Sequence, residues 1–147
     1  MPRKFLPDDT LRDFTCVDAE YIRKHRIRGI LTDLDDTLAE HNRPQPHPAF
    51  ETWLSEMKRL GVRLCILSNN GTNRTKAFAE RHGIAYIPNA YKPRAYYYKK
   101  AAGVLNLSVQ ECIFLGDQLF TDIRGAKKSG VFAVKVQPLG NRSNFFI

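Results

Sequence analysis

Cysteine is scarce in this sequence: there are three, Cys16, Cys65 and Cys112, an odd number at wide spacing with no Cys-x-x-Cys pair. That argues against a disulfide framework, a thiolate zinc site and a dithiol redox centre. Cys65 and Cys112 each lie inside a short apolar run and read as buried small hydrophobes rather than nucleophiles. No apolar run approaches the roughly 18 to 20 residues that a membrane-spanning helix needs. The opening stretch, Met1 to Asp9, is charged and proline-broken where a secretory signal would be apolar, so cytosol is the default expectation. Internal repeats, low-complexity tracts and linkers are also lacking. With 147 residues the expectation is one domain over 1–147: a lead-in and short helix at 1–27, a core at 28–135 and a tail at 136–147.

Acidic residues are missing locally. None lies between Glu80 and Glu111, a window that holds Arg81, Lys92, Arg94, Lys99 and Lys100. None follows Asp122, where Arg124, Lys127, Lys128, Lys135 and Arg142 stand. The net charge of +8 is therefore concentrated, and it favours an anionic partner: a phosphate ester, an acidic lipid surface or RNA.

What is present is an alternation of short apolar runs with helical-period segments, the pattern of an α/β domain with a parallel sheet. Five strands are predicted: Gly29 to Asp33, Val62 to Leu67, Ile84 to Ile87, Cys112 to Leu115 and Val131 to Val134. Pro48 is placed as the first residue of a helix in which Phe50, Trp53, Leu54, Met57 and Leu60 recur at helical spacing before Gly61. Further helices are predicted over 72–82, 93–105 (opened by Pro93) and 118–129, with a short one capped by Asp18. Ser108 to Glu111 has capping-box spacing but is followed at once by a strand, and so reads as one isolated turn.

Parallel sheets of this type bind ligands at the carboxyl ends of their strands. The first predicted strand delivers Asp33-x-Asp35-x-Thr37 there, the second Ser68-Asn69-Asn70, and the fourth Gly116-Asp117 with Asp122 five residues on; Lys92 stands in the loop after the third. Carboxylates, hydroxyls and an ammonium on one rim suit a hard oxygen-binding cation and a phosphoryl group, with magnesium favoured over zinc because the rim lacks His and Cys. Phosphate monoester hydrolysis needs up to ~10²¹-fold acceleration, about 29 kcal/mol. General acid–base catalysis provides roughly 10²- to 10⁴-fold, so positioning and charge neutralisation must supply most of the rest.

In order and strand context these four sites resemble motifs I to IV of the haloacid dehalogenase (HAD) superfamily: Asp33-x-Asp35-x-Thr37, Ser68, Lys92, and Gly116-Asp117 with Asp122. More narrowly, Lys4 to Pro7, Gly29 to Leu38, Leu67 to Asn70, Lys92-Pro93 and Gly116 to Asp122 are similar to the YqeG-like members of HAD subfamily IIIA, which include phosphatidylglycerophosphate phosphatases. The resemblance implies an HAD-like Rossmannoid three-layer α/β/α fold and an aspartyl-phosphate mechanism. By it, Asp33 is the nucleophile, Asp35 the general acid and then base, and Lys92 the cation that neutralises the phosphoryl group. Ser68, the Asn69 amide and Thr37 hold the phosphoryl group, and Thr37 also orders the loop through its hydroxyl. Asp33, the Asp35 carbonyl and Asp117 bind magnesium, with Asp122 behind them or paired to Lys92.

Taken singly, each motif has an ordinary reading: a turn, a helix cap, a solvated lysine. His41 and His47 read as exposed loop residues, and Arg43 and Arg74 as candidates for a second anionic group. Tyr91 and Tyr96 to Tyr98, interleaved with basic residues, suit stacked bases or lipid headgroups, although three successive helical tyrosines cannot all face one way. Neither the 37–68 nor the 68–92 interval has room for a cap domain, so the expected substrate is a bulky phosphate ester, with phosphatidylglycerophosphate favoured. Alternatives are a broad nucleotide, sugar or nucleic-acid-end phosphatase, a receiver-type phospho-aspartate module, and a basic RNA-associated protein.

Overall fold

The computed structural model describes residues 1–41, 43–69 and 73–140. The expectations for Asn70, Arg142, residue 72 and the end of the tail lie outside them. The apolar runs form strands, and six lie parallel in one sheet: β1 (Asp9–Leu11), β2 (Gly29–Thr32), β3 (Arg63–Leu67), β4 (Ala85–Ile87), β5 (Cys112–Gly116) and β6 (Phe132–Val136), in the order β1-β6-β5-β2-β3-β4. The five-strand expectation misses β1. That strand carries Asp9 and Thr10 within three residues and offers no apolar run. It is an edge strand, held by tertiary contacts: the Asp8 amide donates to the Ala133 carbonyl (2.8 Å), while the Asp8 carboxylate accepts from the Ala133 amide (2.8 Å) and from Lys127 Nζ (2.9 Å).

Alternation along the central strands feeds two cores. Ile30, Leu64, Ile66, Ile113 and Leu115 point to one face, where Phe14, Phe50, Trp53, Met57 and Phe78 pack. Leu31, Cys65, Leu67, Cys112 and Phe114 point to the other, against Tyr98, Ala101, Ala102 and Ala126. Helices α1 (Ala19–His25), α2 (Phe50–Arg59) and α3 (Asn73–His82) contribute to the first layer, and α4 (Ala95–Val104) and α5 (Arg124–Ser129) to the second. The result is a three-layer α/β/α fold, and among the described residues no cap domain is inserted. Trp53 shows the local economy of the first core: its ring sits 5.0 Å from that of Phe14 and its Nε1 donates to the Val17 carbonyl (2.9 Å), so its polar atom is satisfied while its rings are buried. Truncating such an aromatic to Ala destabilises by about 3–5 kcal/mol.

Asp18 caps α1 through the Tyr21 amide (2.9 Å), and Ser108 with Glu111 closes a capping box on a single 3₁₀ turn. Two proline-based helix starts are corrected. Pro48 and Pro93 each lie two residues ahead of their helices: α2 begins after a turn in which the His47 carbonyl accepts the Phe50 amide (2.9 Å) and its Nδ1 accepts the Ala49 amide (3.1 Å), and α4 after one in which the Tyr91 carbonyl accepts the Arg94 amide (3.1 Å). The expected helix over 118–129 begins instead as a π-helical turn, Leu119–Ile123, in which the Gln118 carbonyl accepts both the Asp122 (3.0 Å) and Ile123 (3.1 Å) amides.

The chain runs outward from β2 through β3 to β4, then returns to β5 and runs the other way to β6. β2 and β5 therefore flank the switch point of the sheet, where open α/β folds leave a crevice at the strand carboxyl ends.

Candidate active site

Asp33 leaves β2 at that crevice, its amide still bonded to the Leu115 carbonyl of β5 (3.0 Å). The loop beyond folds on its backbone: the Leu34 carbonyl accepts the amides of Thr37 (3.2 Å), Leu38 (3.0 Å) and Ala39 (3.3 Å), with Leu34 and Leu38 fully buried beneath. Asp36 takes a left-handed conformation (φ 61°), one that Asp tolerates better than most residues. Its buried carboxylate accepts the His41 amide (3.0 Å) and faces His41 Nδ1 (3.2 Å). The Thr37 hydroxyl is buried with no hydrogen-bond partner among the described residues, while backbone amides and the Asp36 carboxylate hydrogen-bond within the loop.

Three carboxylates meet in the crevice. Asp33, Asp117 and Asp122 each offer an oxygen within 4.8 Å of the others. Lys92 enters from the loop after β4, its Nζ 3.1 Å from Asp33 Oδ1 and 2.7 Å from Asp122 Oδ1, with its side chain 4% exposed. Asp122 Oδ2 accepts the Gln118 amide (3.2 Å), so Asp122 is committed on both oxygens. A Cβ on Gly116 would collide with the Asp122 carboxylate, which is why glycine ends β5. Burial, with Asp122 and Asp117 close by, pushes the Asp33 pKa up to about 7 against the pull of Lys92. Burial disfavours the charged form of Lys92, but Asp122 and Asp33 outweigh it and hold its pKa above the ordinary lysine value. Removing one member of such a buried pair leaves an uncompensated charge, a loss of about 3–5 kcal/mol.

The Ser68 and Asn69 segment joins the same rim. Ser68 is buried, its amide bonded to the Ile87 carbonyl (3.3 Å) and its carbonyl to the Ala90 amide (2.8 Å). Asn69 Oδ1 accepts the Lys92 amide (2.7 Å), tying this segment to the lysine loop. The donor set fits a hard divalent cation: oxygen donors only, with no His or Cys in the cluster among the described residues. The Asp35 carboxylate lies outside that cluster. It accepts from Arg74 Nε of α3 (2.8 Å), while Arg74 also donates to the carbonyls of Glu40 (3.0 Å) and Arg43.

Several residues carry structural weight that their sequence context does not announce. Tyr98 is fully buried, its hydroxyl directed at the Thr121 (3.2 Å) and Asp122 (3.4 Å) carbonyls, and its ring packs against Gly125, where any Cβ would collide with it. It is the inward member of the tyrosine run. The only sequence trace of this contact is a glycine inside a helical segment. Arg74 is occupied by Asp35 rather than open to a second anion, and Arg43 pairs with Glu40 (2.7 Å). His47, expected as an exposed loop residue, packs edge-on to Phe14 (5.3 Å). Burial pushes the Cys65 and Cys112 thiols up to about 12 and about 11, consistent with inert core residues.

The family model for haloacid dehalogenase-like hydrolases matches residues 17–130. Over 141 residues the chain is 36% identical to the probable phosphatase YqeG of Bacillus subtilis, covering 96% of this chain and 82% of that protein. It is 23% identical to the chloroplastic/mitochondrial phosphatidylglycerophosphate phosphatase 1 of Arabidopsis thaliana, covering 97% of this chain but only 43% of that longer protein. Among solved structures, the cobalt-bound deoxy-D-mannose-octulosonate 8-phosphate phosphatase of Haemophilus influenzae shares the fold, with a TM-score of 0.61 at 12% identity over 81% of this chain and 83% of that one. Four motifs converge on one crevice, the family model covers all four, and relatives along nearly the whole chain are named as phosphatases, one of them as probable: the chain belongs to the haloacid dehalogenase-like hydrolases and is a phosphatase of that family.

Proposed function

We propose that the protein hydrolyses a bulky phosphate monoester through an aspartyl-phosphate on Asp33, with magnesium as cofactor and phosphatidylglycerophosphate as the favoured substrate. The observation that carries the reading is the meeting of Asp33, Lys92, Asp117 and Asp122 in one crevice within 4.8 Å for the carboxylates and 3.1 Å for the Asp33–Lys92 pair. Magnesium, held by Asp33, Asp117 and the Asp35 carbonyl, would neutralise charge on the phosphoryl oxygens. Asp122 orients Lys92 from behind. The lipid is favoured because no cap domain is inserted among the described residues and because a relative along 97% of this chain is named for that substrate.

In this reading an Asp33 carboxylate oxygen attacks phosphorus in line, and the bond from phosphorus to the ester oxygen breaks. The departing alkoxide takes a proton from Asp35. Water then attacks the phosphorus of the acyl phosphate, giving its proton to Asp35, and the Asp33–phosphorus bond breaks to release inorganic phosphate. Lys92, the Ser68 hydroxyl and the Asn69 amide hold the phosphoryl oxygens, and the Thr37 hydroxyl, without a hydrogen-bond partner among the described residues, is a further donor for them.

The test is phosphate release from phosphatidylglycerophosphate with and without magnesium, beside an Asp33→Asn protein. We expect magnesium-dependent release that the substitution abolishes. Full activity in Asp33→Asn would remove the nucleophile assignment, and robust turnover of nucleotide or sugar phosphates with none of the lipid would replace the substrate.

A further inference from the structure

The crevice is bordered by apolar side chains that no core explains. Phe120 (68% exposed), Tyr96 (63%), Tyr91 (55%) and Leu6 (43%) are large and open to solvent. They form two groups. Phe120 lies two residues from Asp122, and its ring meets that of Phe5, next to Leu6, at 5.0 Å. Tyr91 adjoins Lys92 and packs on Tyr97 (5.6 Å), which in turn meets Tyr96 (4.9 Å). The Lys92–Asp122 ion pair (2.7 Å) and the Tyr98 hydroxyl at the Thr121 carbonyl (3.2 Å) join the elements that bear the two groups, so the patches flank the reactive carboxylates.

Cations are interleaved with these rings: Lys4 (5.3 Å) and Arg124 (6.0 Å) stand over Phe5, Arg94 over Tyr91 (6.0 Å) and Lys100 over Tyr96 (6.0 Å). No acidic residue occurs from Arg81 to Gln110 or after Asp122. Asp117 and Asp122 are recessed, and Asp8 is neutralised by Lys127 (2.9 Å). Exposed aromatic tips set among lysine and arginine are the composition of surfaces that lie in the interfacial layer of a bilayer, ring bodies among acyl chains and charges at anionic headgroups. The alternative occupant, single-stranded RNA, needs ring faces free for stacking. Here the ring faces are engaged within the protein: Arg94 stands over Tyr91 (6.0 Å) and Lys100 over Tyr96 (6.0 Å), and Tyr96 meets Tyr97 edge to face.

We propose that this rim is a docking surface for an anionic bilayer, with Phe120, Leu6, Tyr91 and Tyr96 inserting and Lys4, Arg94, Lys100 and Arg124 meeting the headgroups, so that the crevice faces a phosphate displayed on the membrane. This rests on the phosphatase reading of the crevice, but docking itself needs no hydrolysis.

Docking is measured by co-sedimentation of the full chain carrying Asp33→Asn with vesicles of phosphatidylcholine alone or mixed equally with phosphatidylglycerol. We expect binding to the mixed vesicles only, weakened by salt. Tyr96→Ser/Phe120→Ser and, separately, Arg94→Gln/Lys100→Gln should each weaken it, the second pair by about fivefold per cation removed. Both pairs are exposed, and circular dichroism melts report whether either has lost its fold. In a Phe120→Trp protein, indole emission should be quenched by brominated lipid. Equal binding to both vesicle types, no binding, unquenched emission, or a folded rim variant with wild-type binding would each overturn the proposal. Tighter, steeply salt-dependent binding to single-stranded RNA would overturn it in favour of that partner. If docking fails while wild-type protein still releases phosphate from a water-soluble glycerophosphate ester, the surface is wrong and the phosphatase reading stands. If docking holds and no phosphoester is turned over, the reverse is true.

Discussion

Asp33 sits where burial and two neighbouring carboxylates oppose one lysine, and its pKa is raised to about 7. An unfolded aspartate titrates near about 4, so between about pH 4 and about pH 7 the folded chain holds a proton that the unfolded chain has released. Stability of the metal-free protein should therefore decline as pH rises through that window, the opposite of an ion-paired aspartate with a lowered pKa. The proposed divalent cation would need the ionised Asp33 carboxylate, so its binding would expel the proton and strengthen as pH rises to about 7, then level off. Thermal melts with and without magnesium should show the cation's stabilisation growing from acid to neutral pH, and Asp33→Asn should flatten both trends. A magnesium increment that is the same at pH 5 as at pH 8 would contradict this. Asp33 itself is legible from its position after an apolar run, because a strand end is a local property of the chain. Its pKa is not legible, since the groups that set it come from Lys92, Asp117 and Asp122, three separate stretches of sequence.

At the scale of elements, the strand ends do most of the positioning, and α3 adds a clasp. Arg74 joins the Asp35 carboxylate (2.8 Å) to the Glu40 carbonyl (3.0 Å) and the Arg43 carbonyl, fastening the loop after β2 to the helix after β3. Replacing it by Met should lower kcat by between about 10- and 100-fold, with a smaller change in KM, since only positioning of the proposed general acid is lost. Arg74→Lys should recover part of this, an ammonium being unable to reproduce the planar fork. Unchanged kcat in Arg74→Met would show that the clasp is mechanical only. Helices α2 and α3 announce themselves by periodicity, whereas β1 does not, because Asp9 and Thr10 become strand only by pairing with the edge of β6. Nor does the π-helical turn at Leu119–Ile123, from which the Asp122 carboxylate accepts the Gln118 amide.

For the whole molecule, the charge of +8 is concentrated in two acid-free stretches, from which Arg94 and Arg124 stand beside the crevice over Tyr91 and Phe5. A field of that kind steers anionic substrates towards the site, and salt screens it. Turnover of a phosphate ester on an anionic surface should accordingly lose kcat/KM several-fold between low and physiological ionic strength while kcat at saturation holds, and a salt-independent kcat/KM would argue against steering. No helix among the described residues is long and apolar enough to cross a membrane. The amino-acid sequence by itself determined the layered α/β architecture and the chemical types standing at each strand end, because apolar runs, helical periods and the residues that follow them are written locally. Only the tertiary structure decided which of those groups meet. Pairing of β5 with β2 brings Asp117 and Asp122 to Asp33 across 84 and 89 positions of chain; pairing of β2 with β3 sends Asp35 to Arg74, and the β5–β6–β1 ladder sends Phe120 to Phe5. Contacts between distant segments follow from sheet order and packing, which no local pattern records.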